Sequence, residues 1–290
     1  MALREPTNLG AETAEKPSRS SARGLIGAFM AADSRAAPFP PFLGEDPPDP
    51  TQRFLESMPE VYRHRHDVQE VEAHARIVGR RGNARVHAEL CPGPTQPDAG
   101  QWICIVTNDR PGLLSLLSAS ITAHSLDILA ARAYSRPRIG ASDEAIDLFA
   151  VRRLKKPISG PLSDSDIAAI RATVESLLRG ETSVARLERH GAKTDRPHGG
   201  PPTAVYFGDS DPDVLRVEAA DRPGLLLAVT LAIFKEHFSI IRSHVTTIAG
   251  MARDEFQLAE LDGRELTEAR KKLVMERVRE AVQPRPTDID

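Results

Sequence analysis

The sequence predicts an α+β fold built from two copies of one βαββαβ unit. Three observations carry this expectation. The tetrapeptide Asp-Arg-Pro-Gly occurs twice, at Asp109–Gly112 and at Asp221–Gly224. Each copy follows an apolar run (Trp102–Val106, Val214–Glu218) and precedes a leucine-rich stretch (Leu113–Ala123, Leu225–Lys235). A β-branched run comes next in both, Ile128–Tyr134 and Ile240–Thr247, and the frames match at one offset, 221 − 109 = 112, from Trp102/Val214 to Ser135/Thr247. Four residues recur by chance; four residues inside a matched strand–turn–helix–strand frame indicate a duplicated unit.

Residues 1–50 are polar, rich in alanine and proline, and without a sustained period. They cannot bury enough apolar area to offset the entropy of ordering, so a disordered tail is expected. Residues 51–90 read as a helical joining segment. Phe54, Leu55, Met58, Val61 and Tyr62, then Val71, Ala75 and Val78, recur at three-to-four spacing, and Pro59 divides them into two short helices. Residues 91–100 form a Pro/Gly linker.

The first domain is expected over 101–189. Its strand at 102–107 leads into the repeated turn, where Pro111 suits the first helical position and Asp109 can accept hydrogen bonds near the helix start. A helix at 112–123 follows, then strands at 127–135 and 145–152. A second helix at 163–179 is capped by Ser163-Asp-Ser-Asp166 and stopped at Gly180, and a last strand is expected at 182–188. Residues 190–202 are the linker. The second domain, 203–283, reads as strand 213–219, helix 223–236, strands 240–248 and 254–261, and helix 266–282. No fourth strand follows that helix, so Thr203–Phe207 is expected to fill the missing edge.

Composition excludes several function classes. The formal net charge is −3 over 290 residues and aromatics are 4%, which supports neither a nucleic-acid surface nor base stacking. No apolar run approaches the length of a membrane span. Two cysteines, Cys91 and Cys104, make no disulfide framework, and a cytoplasmic location is expected. His64, His66 and His74 lack the spacing of a metal site. No phosphate-binding loop, dinucleotide fingerprint or nucleophile elbow is present, and no cofactor is expected. Arg76, Arg80, Arg81 and Arg85 read as a solvated basic face.

The repeated turn is the candidate site. A helix start after a tight turn offers free N–H groups and the positive end of the helix dipole to a small anion. Asp109 and Asp221 could hold an α-amino group, and Gly112 and Gly224 leave room for close approach. An amino acid matches both halves of that chemistry. The expected first site comprises Asp109, Arg110, Gly112, Leu113 and Asp127, the second Asp221, Arg222, Gly224, Leu225 and Ser239, with N–H donors at Gly112–Leu113 and Gly224–Leu225. Asp147-Leu-Phe149 and Asp254-Glu-Phe256 also recur. The phenylalanines read as core, the aspartates as solvated or turn-capping.

On the Asp-Arg-Pro-Gly-Leu-Leu turn, the helix after it and the strand starts Leu126-Asp-Ile-Leu129 and Ser239-Ile-Ile241, the copies resemble ACT domains, small ligand-binding regulatory modules. The resemblance implies a ferredoxin-like fold for each copy. Phe54-Leu-Glu-Ser-Met-Pro-Glu-Val-Tyr62, Arg65-His66-Asp67 and Ala73-His74-Ala75-Arg76 extend it to the regulatory region of the bacterial PII-protein uridylyltransferase/uridylyl-removing enzymes. It implies a non-catalytic, amino-acid-sensing protein linked to nitrogen metabolism, with glutamine the first ligand to test. A PII-type protein or a separately encoded transferase is the implied partner, and a homodimer through the sheets is a further implication. A partner-binding module without a ligand, or a truncated transferase without its catalytic domains, are the alternatives. The family often reads His-Gly-Leu-Asn-Ile after the first helix. Ser125 and Phe238 are expected at that glycine, and Asp127 and Ser239 at the ligand-contacting asparagine.

Overall fold

The computed structural model describes residues 49–94, 100–154, 160–190 and 203–283. Nearly all of the expected disordered tail, and most of the 190–202 linker, lie outside them. Three helices open the described chain: α1 (Pro50–Ser57), α2 (Glu60–Arg63) and α3 (Val68–Arg81). Asp67 and Glu70 form a capping box at the start of α3, each side chain accepting from the other residue's backbone N–H. The segment expected to stay helical to residue 90 then turns at Gly82 and becomes β1 (Val86–Cys91). Its alternation explains why: Val86 and Ala88 are buried while His87 and Glu89 are not.

The first half continues with β2 (Gln101–Asn108), α4 (Leu113–Ala123), β3 (Leu126–Arg136), β4 (Glu144–Arg153) and α5 (Asp164–Leu178). The strand expected at 182–188 is instead α6 (Val184–His190). Strand β1 already occupies the edge beside β2, which leaves no position for another. The second half repeats the order as β5 (Ala204–Phe207), β6 (Val214–Ala220), α7 (Leu225–Lys235), β7 (Phe238–Ile248), β8 (Met251–Glu260) and α8 (Glu268–Val282). Residues 204–207 do pair with β6 at the second edge. Each half therefore begins with its edge strand and reads ββαββα, as expected for the second half, whereas in the first the edge strand was expected after the second helix.

All neighbouring strands are antiparallel, and the halves join into one eight-stranded sheet of order β1-β2-β4-β3-β7-β8-β6-β5. The seam between β3 and β7 pairs Ala130–Ala133 with Ser243–Thr246. At its centre Arg132 pairs with His244, its own counterpart at the repeat offset (132 + 112 = 244), so the local twofold relation passes through this pair. Both strands bulge at matching places, Ile128/Ala130 and Ile240/Arg242.

One sheet face carries a continuous core in which Ile103, Ile105, Leu117, Phe149, Val229, Phe256, Val274 and others are buried. Helices α4, α5, α7 and α8 supply the other side of that core. The opposite face is treated differently in the two halves. Under β2–β4, α1–α3 bury Phe54, Tyr62 and Ile77 against Cys104, Val106 and Leu148. This is why β2 and β4 are apolar on both faces. In the second half the same face carries Arg216, Arg242, Arg253 and Glu255 and has no helical cover among the described residues.

The basic stretch on α3 is not uniformly solvated. Arg81 is 4% exposed, and its guanidinium donates to Glu144 of β4 and to Asn108 of β2. Glu144, 4% exposed, also takes two hydrogen bonds from Arg136, which in turn donates to Ser57 of α1. This buried network fastens the N-terminal helices to the sheet.

Candidate functional site

The two Asp-Arg-Pro-Gly turns have the same local construction. The Asp109 N–H donates to the Asp143 carbonyl at 2.7 Å, and the Asp221 N–H donates to the Gly250 carbonyl at 2.9 Å. Ser135 Oγ donates to Asp109, and Thr247 Oγ1 donates to Asp221 at 3.0 Å. Neither aspartate caps its helix. Gly112 (φ 76°) and Gly224 (φ 79°) are the N-cap residues, both left-handed, and the helices begin one residue later. Pro111 therefore belongs to the turn and not to the helix. The N–H groups of Leu113 and Leu225 close the turn onto the carbonyls of Arg110 and Arg222, both at 3.1 Å. They are not available as anion donors. The next N–H groups, of Leu114–Ser115 and of Leu226–Leu227, have no side-chain cap and belong to residues lining the cavities.

Each cavity takes walls from both halves. The first, about 30 Å³, lies between the Asp109–Ser115 turn and Phe234, Phe238, Ile240 and Ile241 of the second half. The second, about 10 Å³, lies between the Asp221–Leu227 turn and Ile128 of the first half. The grouping expected from sequence is thereby crossed. Asp127 is buried at 1% exposure beside the second turn, where Arg152 donates to it at 2.7 Å. Burial raises its pKa above the ordinary carboxylate value, Arg152 opposes the rise, and the Asp221 charge adds to it. Ser239 stands between Phe238 and Ile240, which line the first cavity, and is not itself a lining residue. Arg110 is exposed, and Arg222 donates to the Ala281 carbonyl of α8.

The glycine equivalent after the first helix is also reassigned. Ser125 (φ 55°) and His237 (φ 63°) hold the left-handed stop without a glycine. Phe238 is instead the first strand residue, 1% exposed, with the Arg270 guanidinium 4.4 Å above its ring.

Asp147 and Asp254 are the residues that sequence reasoning placed wrongly. They are 3% and 2% exposed, they line the first and second cavities respectively, and each keeps one carboxyl oxygen buried without a hydrogen-bond partner. Burial and then the Asp221 charge push the Asp254 carboxyl up to about 8. Burial and then Asp109 push Asp147 well above the ordinary value. Each cavity thus holds a buried acid whose pKa is raised by burial and by the neighbouring turn aspartate. The available signal was the recurrence of Asp-x-Phe itself: a strand that buries Phe149 or Phe256 buries the aspartate two residues earlier only on the same face.

The cavities differ at their mouths. A Cβ on Gly112 would stand 2.8 Å from the Phe234 ring, whereas one on Gly224 would meet nothing within 4 Å. Both glycine-to-alanine changes force a left-handed alanine, worth about 1–2 kcal/mol. Gly112→Ala should lose up to about 1 kcal/mol more through overpacking. Urea unfolding of the two variants measures the difference, and equal losses would mean that Phe234 yields freely.

His66 and His74 are each held by a tyrosine. Tyr62 Oη is 2.8 Å from His74 Nδ1, and His66 bridges Glu70 (2.9 Å) and Tyr134 Oη (3.1 Å). Burial, with Arg132 among the secondary causes, lowers His66 to about 4 and His74 to about 3.

These features define a class: a duplicated α+β chain with twinned, acid-floored cavities at its two helix-start turns. Its relatives are more specific. The chain is similar to bifunctional uridylyltransferase/uridylyl-removing enzymes from Phenylobacterium zucineum (28% identical over 228 residues, 76% of this chain and 23% of the relative), Rhodopseudomonas palustris (27% over 206 residues, 69% and 22%) and Rhodospirillum rubrum (25% over 218 residues, 72% and 22%). The chain spans under a quarter of the length of these curated relatives. No family model and no solved structure matches it. Among the described residues no helix is long and apolar enough to cross a membrane.

Proposed function

We propose that this chain is a non-catalytic, ACT-type amino-acid sensor in nitrogen regulation, with glutamine the first ligand to test. The observation that carries the reading is the acid pair at the floor of each cavity, Asp109 with Asp147 and Asp221 with Asp254. An ammonium group placed there satisfies the unpartnered carboxyl oxygen and favours its ionised form. The same molecule's carboxylate would face the uncapped N–H groups at the helix start. The relatives are named for uridylyl transfer and removal. This chain's part, on the present reading, is to report an amino acid to such an activity or to a PII-type protein.

The crossed walls supply a mechanism. A ligand seated on one half's turn also touches the other half's strand, so its affinity depends on how the halves are set and it shifts that setting in return. Cavities of about 30 and 10 Å³ hold little more than one water, so entry requires Phe234 or the β7 wall to give way at the first site. The same tightness favours a second reading, a module that binds a partner and no ligand, with the edge strands β1 and β5 as surfaces for pairing or self-association.

A thermal-shift screen of the twenty amino acids separates the two. Ligand at about a hundred times its dissociation constant adds roughly 2.7 kcal/mol, which raises the melting point by several degrees. The expected result is a shift for one amino acid that Asp109→Ala or Asp221→Ala abolishes. No shift with any amino acid would reject the sensor in favour of the partner module.

A further inference from the structure

On the sheet face that α1–α3 cover in the first half only, the edge of that cover meets the open second half at the β3–β7 seam. A cavity of about 70 Å³ lies there, bounded by Val61 of α2, Arg65 in the turn after it, Tyr134 of β3, Arg242 and His244 of β7, and the charged Asp211, Arg216 and Glu255. It adjoins a wider groove of about 510 Å³ beneath Pro59, Glu60 and His64, which shares Val61, Tyr134 and Arg242 with it.

The charges around this cavity do not balance. Arg65, Arg132 and Arg242 form no ion pair among the described residues. Arg132 lies over the Trp102 ring at 5.4 Å with its Nη1 buried and unpartnered, and across the seam His244 Nδ1 is likewise buried and unpartnered. Two acids, Asp211 and Glu255, line the cavity as well, but both hold Arg216, at 3.2 and 3.0 Å, and leave Arg65 and Arg242 unpaired, while Glu70 holds His66. Burial and then the fields of Arg65 and Arg132 lower His244 to about 4, which agrees with a positive local potential. The buried, unpartnered Arg132 Nη1 and His244 Nδ1 are costly unless something compensates them.

We propose that the seam cavity binds a small organic anion, its phosphoryl or carboxylate head between Arg65 and Arg242 beside His244 and its remainder in the adjoining groove. Guanidinium forks suit both head groups, and the wider groove gives an organic moiety room that the head cavity lacks. The groove shares Ala133, Tyr134, Ser135 and Ile241 with the first turn cavity, but the anion head lies apart from both turns and the proposal does not depend on their reading.

Isothermal titration with inorganic phosphate, pyrophosphate and citrate tests it on the full chain. Saturable binding of at least one is expected, weakened roughly ten- to hundredfold in Arg65→Gln and in Arg242→Gln. Both side chains are at least partly solvent-exposed, so the variants should keep the wild-type melting point without ligand. The α5 surface variant Arg171→Gln should bind as wild type. Preference for the phosphates assigns a phosphoryl head, and preference for citrate a polycarboxylate. Absence of saturable binding, or equal weakening in Arg171→Gln, would overturn the proposal.

Discussion

Asp254→Asn should make the protein more stable at neutral pH, by about 2–4 kcal/mol at pH 7, although it removes a residue from the candidate site. The carboxyl is raised to about 8 in the folded chain, against about 3.9 when unfolded. Between those values the folded chain binds a proton that the unfolded chain releases. The stability of the wild type is therefore fully present below about pH 4 and is lost as the pH rises toward 8. Asparagine carries no such proton. The gain should vanish near pH 4 and grow by up to about 1.4 kcal/mol per pH unit above it. Urea midpoints at pH 4, 6 and 8 measure this. A gain that does not change with pH would mean that Asp254 is not held protonated. The same raised value makes a prediction for the proposed ligand: ammonium binding ionises the acid, so calorimetry in buffers of different ionisation heat should show proton release.

Arg81→Ala should act in the opposite direction, with a loss of about 3–5 kcal/mol. Its guanidinium and Glu144 are 4% exposed each, and removing it strips Glu144 of its α3 partner and Asn108 of a donor. Arg136 remains on Glu144 and limits the loss to the lower half of that range. The defect should be local to the N-terminal cover. Hydrogen exchange should accelerate in α1–α3 and β1 before it does in α7 and α8. A melting point within a degree of the wild type would show that this pair contributes nothing net.

The duplication was legible because a turn is a local signal. Asp-Arg-Pro-Gly, its preceding apolar run and its leucine-rich helix fix β2–α4–β3 and β6–α7–β7 without any knowledge of the partner strands. What escaped was non-local. Val86–Cys91 alternates but is short and follows a long helical run, so its pairing with β2 was not visible from the local pattern. Residues 182–188 had strand-like composition, but the edge was already filled and Val184–His190 became helical. Arg81 looked like its solvated neighbours Arg76 and Arg80, and only the position of Glu144 across the sheet distinguishes it. Asp127 could not be given to the right turn, because nothing within one half says that its wall belongs to the other. The acids under the turns were legible only through the recurring Asp-x-Phe, since Asp147 and Asp254 share a strand face with the buried Phe149 and Phe256.

The crossing of walls has an evolutionary consequence. After a duplication one copy is ordinarily free to decay while the other keeps the work. Here a substitution on the β7 wall of the second half alters the cavity of the first half's turn, and Ile128 of the first does the reverse. A change in either half's wall therefore reshapes the cavity at the other half's turn.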